Sequence, residues 1–443
     1  MGRAGIAILL SVVLAGCTTT QSAEPPTNKS GGGRDRRHQV ARRHKPRREK
    51  KRVTVKPTPA IPPRSPRWAQ RLDNLIGSSP MGVEVALGGE TIYKHRSANS
   101  RVPASVQKLP LTMALLDRFG PRRRFQTIAA TRKRKGGVVP GNLWVIGEGD
   151  PTVTGKTSYS SAFAFDATEL SDLATRIKKA GITEIEGRVI ASTRPFARDW
   201  FARGWKDYFP SSQVGLPTAL TFNGNVYKGH YTPRPERLLA ESLTRRLKKE
   251  GIAVGGSPGA GRNPERLRKI AAVHSEPLWR IVRFMNRQSS NFFAEVLGKR
   301  LAYERYGERN ATISGAAKAI DSYAMRREIA MESQDCSGLS YENRISPREL
   351  VDLLFDTSGR PWGLAVRRSL PSGGQGTLTD RLRDVRIRAK TGTLLEVSSI
   401  AGWIWVERAK AWAEFAILSR GLDKSSAMRI EDAVLRTVNR WAR

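Results

Sequence analysis

A break in composition near residue 65 does most to limit what this chain can fold into. Residues 28–64 carry 14 Lys/Arg against two Asp/Glu, a net charge of +12, and no aromatic residue. Gly31, Gly32, Gly33, Pro57, Pro59, Pro62 and Pro63 add to the bias. A stretch like this has too little apolar surface to offset the entropy of ordering it. Residues 18–65 are therefore expected to form a disordered tether, extended by like charges and prolines to at most about 160 Å at ~3.3–3.6 Å per residue. A folded body is confined to residues 66–443. That body still holds +25 of the formal net charge of +37. Basic character on both sides of the break points to anionic surroundings.

The amino terminus reads as an address. Arg3 precedes an apolar run over residues 6–15, too short to span a bilayer, and the run ends in Leu14-Ala15-Gly16-Cys17. Small residues before a cysteine resemble the bacterial lipobox. Residues 1–17 are expected to be a lipoprotein signal peptide, with Cys17 lipidated and the mature protein anchored in the cell envelope, facing the periplasm. Thr18 carries no aspartate-type retention signal, which favours the outer membrane over the inner. The tether is then a leash for anionic envelope polymers; an exported chain without interleaved aromatics is a poor candidate for nucleic acid. Two cysteines and five histidines without ligand spacing leave no metal site to propose, and no cofactor is called for.

From Trp68 onward the pattern is that of a mixed α/β body. Residues 83–93 suggest a hairpin about Gly88-Gly89, and residues 109–119, closed by Gly120, a helix. Residues 125–130, 143–146, 182–192, 385–389 and 400–406 read as strands. Residues 168–180 and 236–250 are amphipathic helices followed by Gly181-Ile182 and Gly251-Ile252, a repeated unit that suggests a small α/β domain at 123–269. Longer helical patterns cover 277–303, 348–355 and 425–441. The expected organisation is a catalytic domain at 66–122 and 270–443, split by that insertion.

Three short motifs carry the chemistry. Ser105-Val106-Gln107-Lys108 is the only Ser-x-x-Lys in the chain, placed where a helix should start. Residues three apart on a helix share a face, so the Lys108 amine can reach the Ser105 hydroxyl. A lysine acts as a base only when neutral, about one in 2,500 at pH 7 for its free pKa. Burial or a second cation must lower that pKa. Lys390-Thr391-Gly392-Thr393, the only Lys-Thr-Gly, follows a strand. Lys390 can supply the cation and clamp a carboxylate, Thr391 offers a hydroxyl, and Gly392 allows close approach of another segment. The Ser105 and Thr393 N–H groups can form an oxyanion hole. Ser289-Ser290-Asn291 is weak alone; beside the others, Ser289 can relay a proton between Lys108 and a leaving amine, and Asn291 can hold a substrate amide.

The order Ser-x-x-Lys, Ser-x-Asn, Lys-Thr-Gly is the signature of the penicillin-recognising serine acyl transferases. The flanks narrow it: Pro103-Ala104-Ser105, Gly147-Glu148-Gly149-Asp150-Pro151, Phe222-Asn223-Gly224-Asn225, Met285 to Glu295, Asp335-Cys336-Ser337-Gly338-Leu339, Ser369-Leu370-Pro371 and Gly376-Thr377-Leu378. Over residues 66–443 the chain resembles the class C low-molecular-mass penicillin-binding proteins, serine D-alanyl-D-alanine carboxypeptidases/endopeptidases. The resemblance implies a transpeptidase/serine β-lactamase-like fold, an antiparallel sheet between helices, with an insertion between the first two motifs. It implies Ser105 as acyl-accepting nucleophile and Lys108 as its base. Ser289 and Asn291 would shape the proton path and hold the substrate amide, while Lys390, Thr391, Gly392 and Thr393 line the carboxylate and carbonyl site. It further implies peptidoglycan D-Ala-D-Ala stem peptides as substrate and β-lactams as covalent inhibitors.

Three positions depart from the family pattern. Ser290 stands where aspartate is common, Cys336 where glycine is usual, and Pro110 should disturb the helix after Ser105. Cys336 is expected to be a buried small apolar residue. Gly255-Gly256-Ser257-Pro258-Gly259 imitates a nucleophile elbow with His274 as partner, but Pro258, Gly259, Gly261 and Pro264 prevent the helix an elbow needs, so Ser257 reads as loop. Two other functions compete: a β-lactamase-like or inactive penicillin-binding homologue, and a structural wall- or anion-binding lipoprotein.

Overall fold

The computed structural model describes residues 66–155 and 158–440. The leader, Cys17 and the tether lie outside them. Among the described residues no helix is long and apolar enough to cross a membrane.

The fold is mixed α/β, and its centre is a five-stranded antiparallel sheet. Strand order across it is Ile387–Leu394, Val397–Val406, Ala411–Arg420, Met81–Leu87, Glu90–His95. Alternate side chains of a strand point to opposite faces, and both faces are covered. On one, Val83, Val85, Ile404 and Ile417 pack against Leu72 and Ile76 of the helix Pro66–Ile76 and Val434 and Val438 of the helix Lys424–Arg440. On the other, Ala401, Trp403, Ala416 and Leu418 join Leu109, Met113, Ile281, Phe293 and Leu350 from four further helices. The strand Ala411–Arg420 carries no period-two signal because it is sandwiched between these layers and nearly all its side chains are buried.

A second five-stranded sheet is formed by Gly259–Gly261, Val189–Ser192, Leu143–Gly147, Gln126–Thr131 and Arg268–His274, in that order, parallel at one end and antiparallel at the other. The helices Leu170–Lys179 and Pro235–Lys249 bury Leu173, Ile177, Leu239 and Leu243 against it. Residues 182–192 do not form one strand. They form two, Glu184–Ile185 and Val189–Ser192, in different sheets, and Gly187 between them packs so closely on the Gly141 carbonyl that no side chain fits there. Ser257 lies in no helix or strand and is followed by Gly259–Gly261, a strand rather than the helix of an elbow.

Two further local expectations change. The helix expected over 277–303 is two helices, Leu278–Gln288 and Asn291–Tyr306, broken at Ser289, which adopts the left-handed conformation at φ 54°. Pro110 does not kink a helix. Residues Ala104–Gln107 are a 3-10 turn, and the α-helix runs Lys108–Phe119, so Pro110 falls in its first turn, where N–H groups have no intrahelical acceptor.

Candidate active site

The first helix on the inner face of the central sheet positions Ser105 and Lys108. The 3-10 turn holds them three residues apart on one side, and Lys108 is fully buried. Its Nζ lies 3.0 Å from Ser105 Oγ, 2.9 Å from Asn291 Oδ1 and 2.5 Å from the Ser337 carbonyl oxygen. A neutral amine has two N–H groups and one lone pair. Asn291 and Ser337 accept the two hydrogens, which turns the lone pair toward the Ser105 hydroxyl. Burial pulls the Lys108 amine down to about 8, against the opposing pull of the Asp335 and Glu295 carboxylates. Desolvation thus does most of what sequence reasoning assigned to burial or a second cation.

Lys390 stands on the strand Ile387–Leu394, the edge of the central sheet, and is fully buried. It donates to Ser289 Oγ at 2.8 Å and to the Thr391 carbonyl at 2.6 Å. Burial, then the Lys108 charge, lowers its pKa. No ion pair neutralises it among the described residues. Ser289 therefore contacts Lys390, not Lys108 as expected, while Asn291 takes the place beside Lys108. The left-handed turn at Ser289 makes this possible: it ends one helix and reverses the chain so that the next begins at Asn291. Ser290 caps that next helix, its side chain accepting from Phe293 N at 3.3 Å. Serine and aspartate are both good caps, which accounts for the substitution.

Gly392 brings the two halves together. A Cβ there would lie 2.3 Å from Ser399 Oγ, 2.8 Å from the Pro103 carbonyl and 2.8 Å from Ser105 N. Only glycine lets the edge strand pass against the turn that carries Ser105. Ala389 N donates outward from this strand to the Pro371 carbonyl. By the alternation of an antiparallel ladder, the Thr393 N–H points to that same open side. Ser105 N, in the first turn of its 3-10 helix, has no acceptor within that helix. Thr391 Oγ1 donates to Thr377 Oγ1 at 2.7 Å.

Several supports carry no signal in motif spacing. Asp335 accepts from Gly338 N (2.9 Å), Ser340 N (2.9 Å), Asn343 Nδ2 (2.8 Å) and Trp205 Nε1 (2.6 Å), and so shapes the loop that offers the Ser337 carbonyl to Lys108. Glu295 Oε1 accepts from Cys336 N and Ser337 N at 3.1 and 2.7 Å. Burial, reinforced by Asp335, pushes the Glu295 carboxyl up to about 8. Gly338 is required in this loop, since a Cβ would fall 1.8 Å from the Ala104 carbonyl. Cys336 is buried, and burial raises its thiol pKa, which keeps it an inert packing group. Buried Lys299 pairs with Asp199 at 2.6 Å and donates to the Ala197, Asp199 and Pro217 carbonyls. It fastens the segment whose Gln213 carbonyl accepts from Asn291 Nδ2 at 3.2 Å. The flanking sequences Asp335–Leu339 and Gly376–Leu378 were the available clue to Ser337 and Thr377. Main-chain oxygens such as those of Ser337 and Gln213 leave no trace in residue identity.

The D-Ala-D-Ala carboxypeptidase 3 (S13) family model matches residues 70–236 and 230–440. A carboxypeptidase of Mycobacterium tuberculosis is 28% identical over 365 residues, covering 78% of this chain and 76% of the relative. A D-alanyl-D-alanine carboxypeptidase of Actinomadura sp. is 23% identical over 436 residues, with 78% of each covered. Among solved structures, penicillin-binding protein 4 of Haemophilus influenzae superposes with a TM-score of 0.70 at 19% identity, covering 84% of this chain and 99% of that one.

Proposed function

Because the chain belongs to the D-Ala-D-Ala carboxypeptidase 3 (S13) family, we propose that the cleft around Ser105 removes the terminal D-alanine of peptidoglycan stem peptides through an acyl-enzyme. The observation that carries this is the fully buried Lys108, with two oxygens taking its hydrogens and Ser105 Oγ at 3.0 Å. Lys108 takes the Ser105 hydroxyl proton as Oγ attacks the penultimate D-Ala carbonyl. The N–H groups of Ser105 and Thr393 receive the oxyanion, worth about 3–4 kcal/mol per donor at such sites. Lys390, a buried cation without a counter-charge, takes the terminal carboxylate with Thr391. As the C–N bond breaks, Ser289 gives its hydroxyl proton to the departing amine and is resupplied by the Lys390 ammonium it contacts at 2.8 Å. Water then hydrolyses the Ser105 ester, one water proton going back through Ser289 to Lys390 while Lys108 returns the original proton to Oγ. A β-lactam follows the first half of this path and stays on Ser105.

Cleavage of a cross-link by D,D-endopeptidase action is the same chemistry with a longer leaving strand. The basic stretch at 28–64 and the Leu14-Ala15-Gly16-Cys17 sequence support an envelope protein moored by lipid at Cys17, its tether on anionic polymer. The division into residues 66–122 with 270–443 and an insertion at 123–269 belongs to the same proposal.

Turnover of diacetyl-Lys-D-Ala-D-Ala by the wild type, lost in Ser105→Ala, tests the enzyme claim; equal release from both removes it. Deleting residues 28–64 should weaken retention on wall sacculi or anionic vesicles at unchanged peptide turnover, and unchanged retention would remove the leash.

A further inference from the structure

Beside the carboxylate site, four arginines come from neighbouring elements without an acidic partner among the described residues. Arg388 lies two residues before Lys390 on the same face of the edge strand, about 7 Å along it. Arg283 and Arg287 occupy the last two turns of the helix Leu278–Gln288, immediately before Ser289. Arg368 sits near the end of the helix Gly363–Ser369, and Arg388 Nη1 contacts the Leu370 carbonyl just past it, at 3.4 Å. Among the described residues none of the four makes an ion pair, and the Nε of Arg287 is buried without a hydrogen-bond partner.

Their electrostatics agree with that geometry. Burial first, then Arg283 and Arg388, bring Arg287 down to about 10; burial, then Arg283 and Arg368, lower Arg388. No carboxylate offsets either. Glu414 acts on the neighbouring Arg367 instead. Elsewhere on this basic chain arginines find acids, as Arg381 does with Glu431 and Asp432.

The position is specific. Arg287 is two residues from Ser289, the group proposed to protonate the leaving amine. Its carbonyl packs on Gly376, where a Cβ would come within 2.7 Å. The adjacent Thr377 hydroxyl accepts from Thr391. The cluster therefore continues the leaving side of the cleft beyond Lys390. Free D-alanine carries one carboxylate, which Lys390 and Thr391 satisfy, leaving four guanidinium groups without use. A cross-linked leaving strand brings further carboxylates, and the planar guanidinium fork suits them.

We propose that Arg283, Arg287, Arg368 and Arg388 form a second anion subsite, which takes a carboxylate of the leaving strand in a cross-linked stem-peptide dimer. This rests on the Ser105 cleft being a D-Ala-D-Ala acyl-enzyme site and directs it toward endopeptidase action.

The test compares kcat/KM for a cross-linked dimer with free carboxylates on its leaving strand and for the same dimer with those carboxylates amidated except the one beside the scissile bond, which Lys390 and Thr391 take. The wild type should prefer the free form about tenfold, the scale of a charge-assisted hydrogen bond. In Arg368→Gln/Arg388→Gln the ratio should fall to about one, and Arg388→Lys should keep most of it. A wild-type ratio near one, or a ratio unchanged in the glutamine variant, overturns the subsite. Exposed Arg283→Gln, expected to lower the ratio in part, guards against loss of the fold, and an unchanged ratio there counts against the subsite too. Calorimetric binding of both dimers to Ser105→Ala reads the subsite without turnover: equal affinity overturns it even where the wild type releases D-alanine. A preference for the free form, with no wild-type turnover of any peptide, overturns the enzyme claim alone.

Discussion

The helix ends of the region between residues 126 and 274 and the cleft beside the central sheet are built by opposite rules. In the first, two helices end alike. Gly181, at φ 78°, donates to the Lys178 carbonyl while Ile182 donates to Ile177; Gly251, at φ 74°, donates to Lys248 while Ile252 donates to Leu247. This is the glycine-ended helix cap in which the residue after the glycine packs back on the last turn, and Ile182 and Ile252 are buried in one apolar cluster. Each cap then leads into the paired short strands Glu184–Ile185 and Ala253–Val254. The contacts that make these two helix ends are local or apolar. The cleft instead buries Lys108, Lys390, Glu295 and Asp335, and holds non-glycine Ala104 and Ser289 at positive φ. Such groups are costly, and a fold retains them where they do chemistry.

The sharpest break of that contrast is Lys108→Met. Turnover should fall by at least about 10³-fold, since base and nucleophile act as a unit. Stability should rise. Lys108 titrates near 8 when folded and near 10.5 when unfolded, so between those values the unfolded chain binds more protons and stability increases with pH. At neutral pH the folded state carries the full penalty of this buried amine, and methionine removes it. A thermal melt showing a lower midpoint for the variant would contradict the burial argument.

Gly392→Ala comes next. A Cβ 2.8 Å from Ser105 N must push the strand from the nucleophile, and misplacement of about 1 Å can cost on the order of 10²-fold. Acylation kinetics with a penicillin should show that loss; wild-type rates would mean that the strand and the turn do not work together.

The pH profile sharpens the same contrast with a smaller effect. With Lys108 as the proposed base, kcat/KM should climb about tenfold per pH unit and level off near pH 8. The Asp335 carboxylate is the charge that raises the Lys108 pKa most, so Asp335→Asn should move that limb to lower pH. A limb that stays in place, or moves upward, contradicts the coupling.

The smallest effect belongs to the other region. Gly251→Ala would meet only the Lys178 amine, at an ordinary 3.7 Å, but has a left-handed backbone, so it should cost about 1–2 kcal/mol in chemical denaturation. Turnover should be unchanged. A loss of activity in step with Lys108 variants would dissolve the distinction between the regions.

Legibility in sequence obeys the same division. The glycine-ended helices could be read from Gly181 and Gly251 because a cap is a local device. The motif residues could be read because Ser105 and Lys108 share a turn and Lys390–Thr393 share a strand. What could not be read is long-range or main-chain: the Ser337 carbonyl on Lys108, the Gln213 carbonyl on Asn291, the close pass at Gly392 that joins residues nearly 300 apart. The break at Ser289 stayed hidden because apolar periodicity continues on both sides of it. Its cause is a backbone angle that serine seldom adopts. The strand Ala411–Arg420 stayed hidden for the reverse reason: burial on both faces erases alternation.

Acyl chemistry at Ser105 comes down to one covalent bond. Mass spectrometry of the protein after incubation with a labelled penicillin should find a single acyl group on the peptide bearing Ser105, and none in Ser105→Ala. Label on another residue, or an unmodified Ser105 in intact protein, would contradict it.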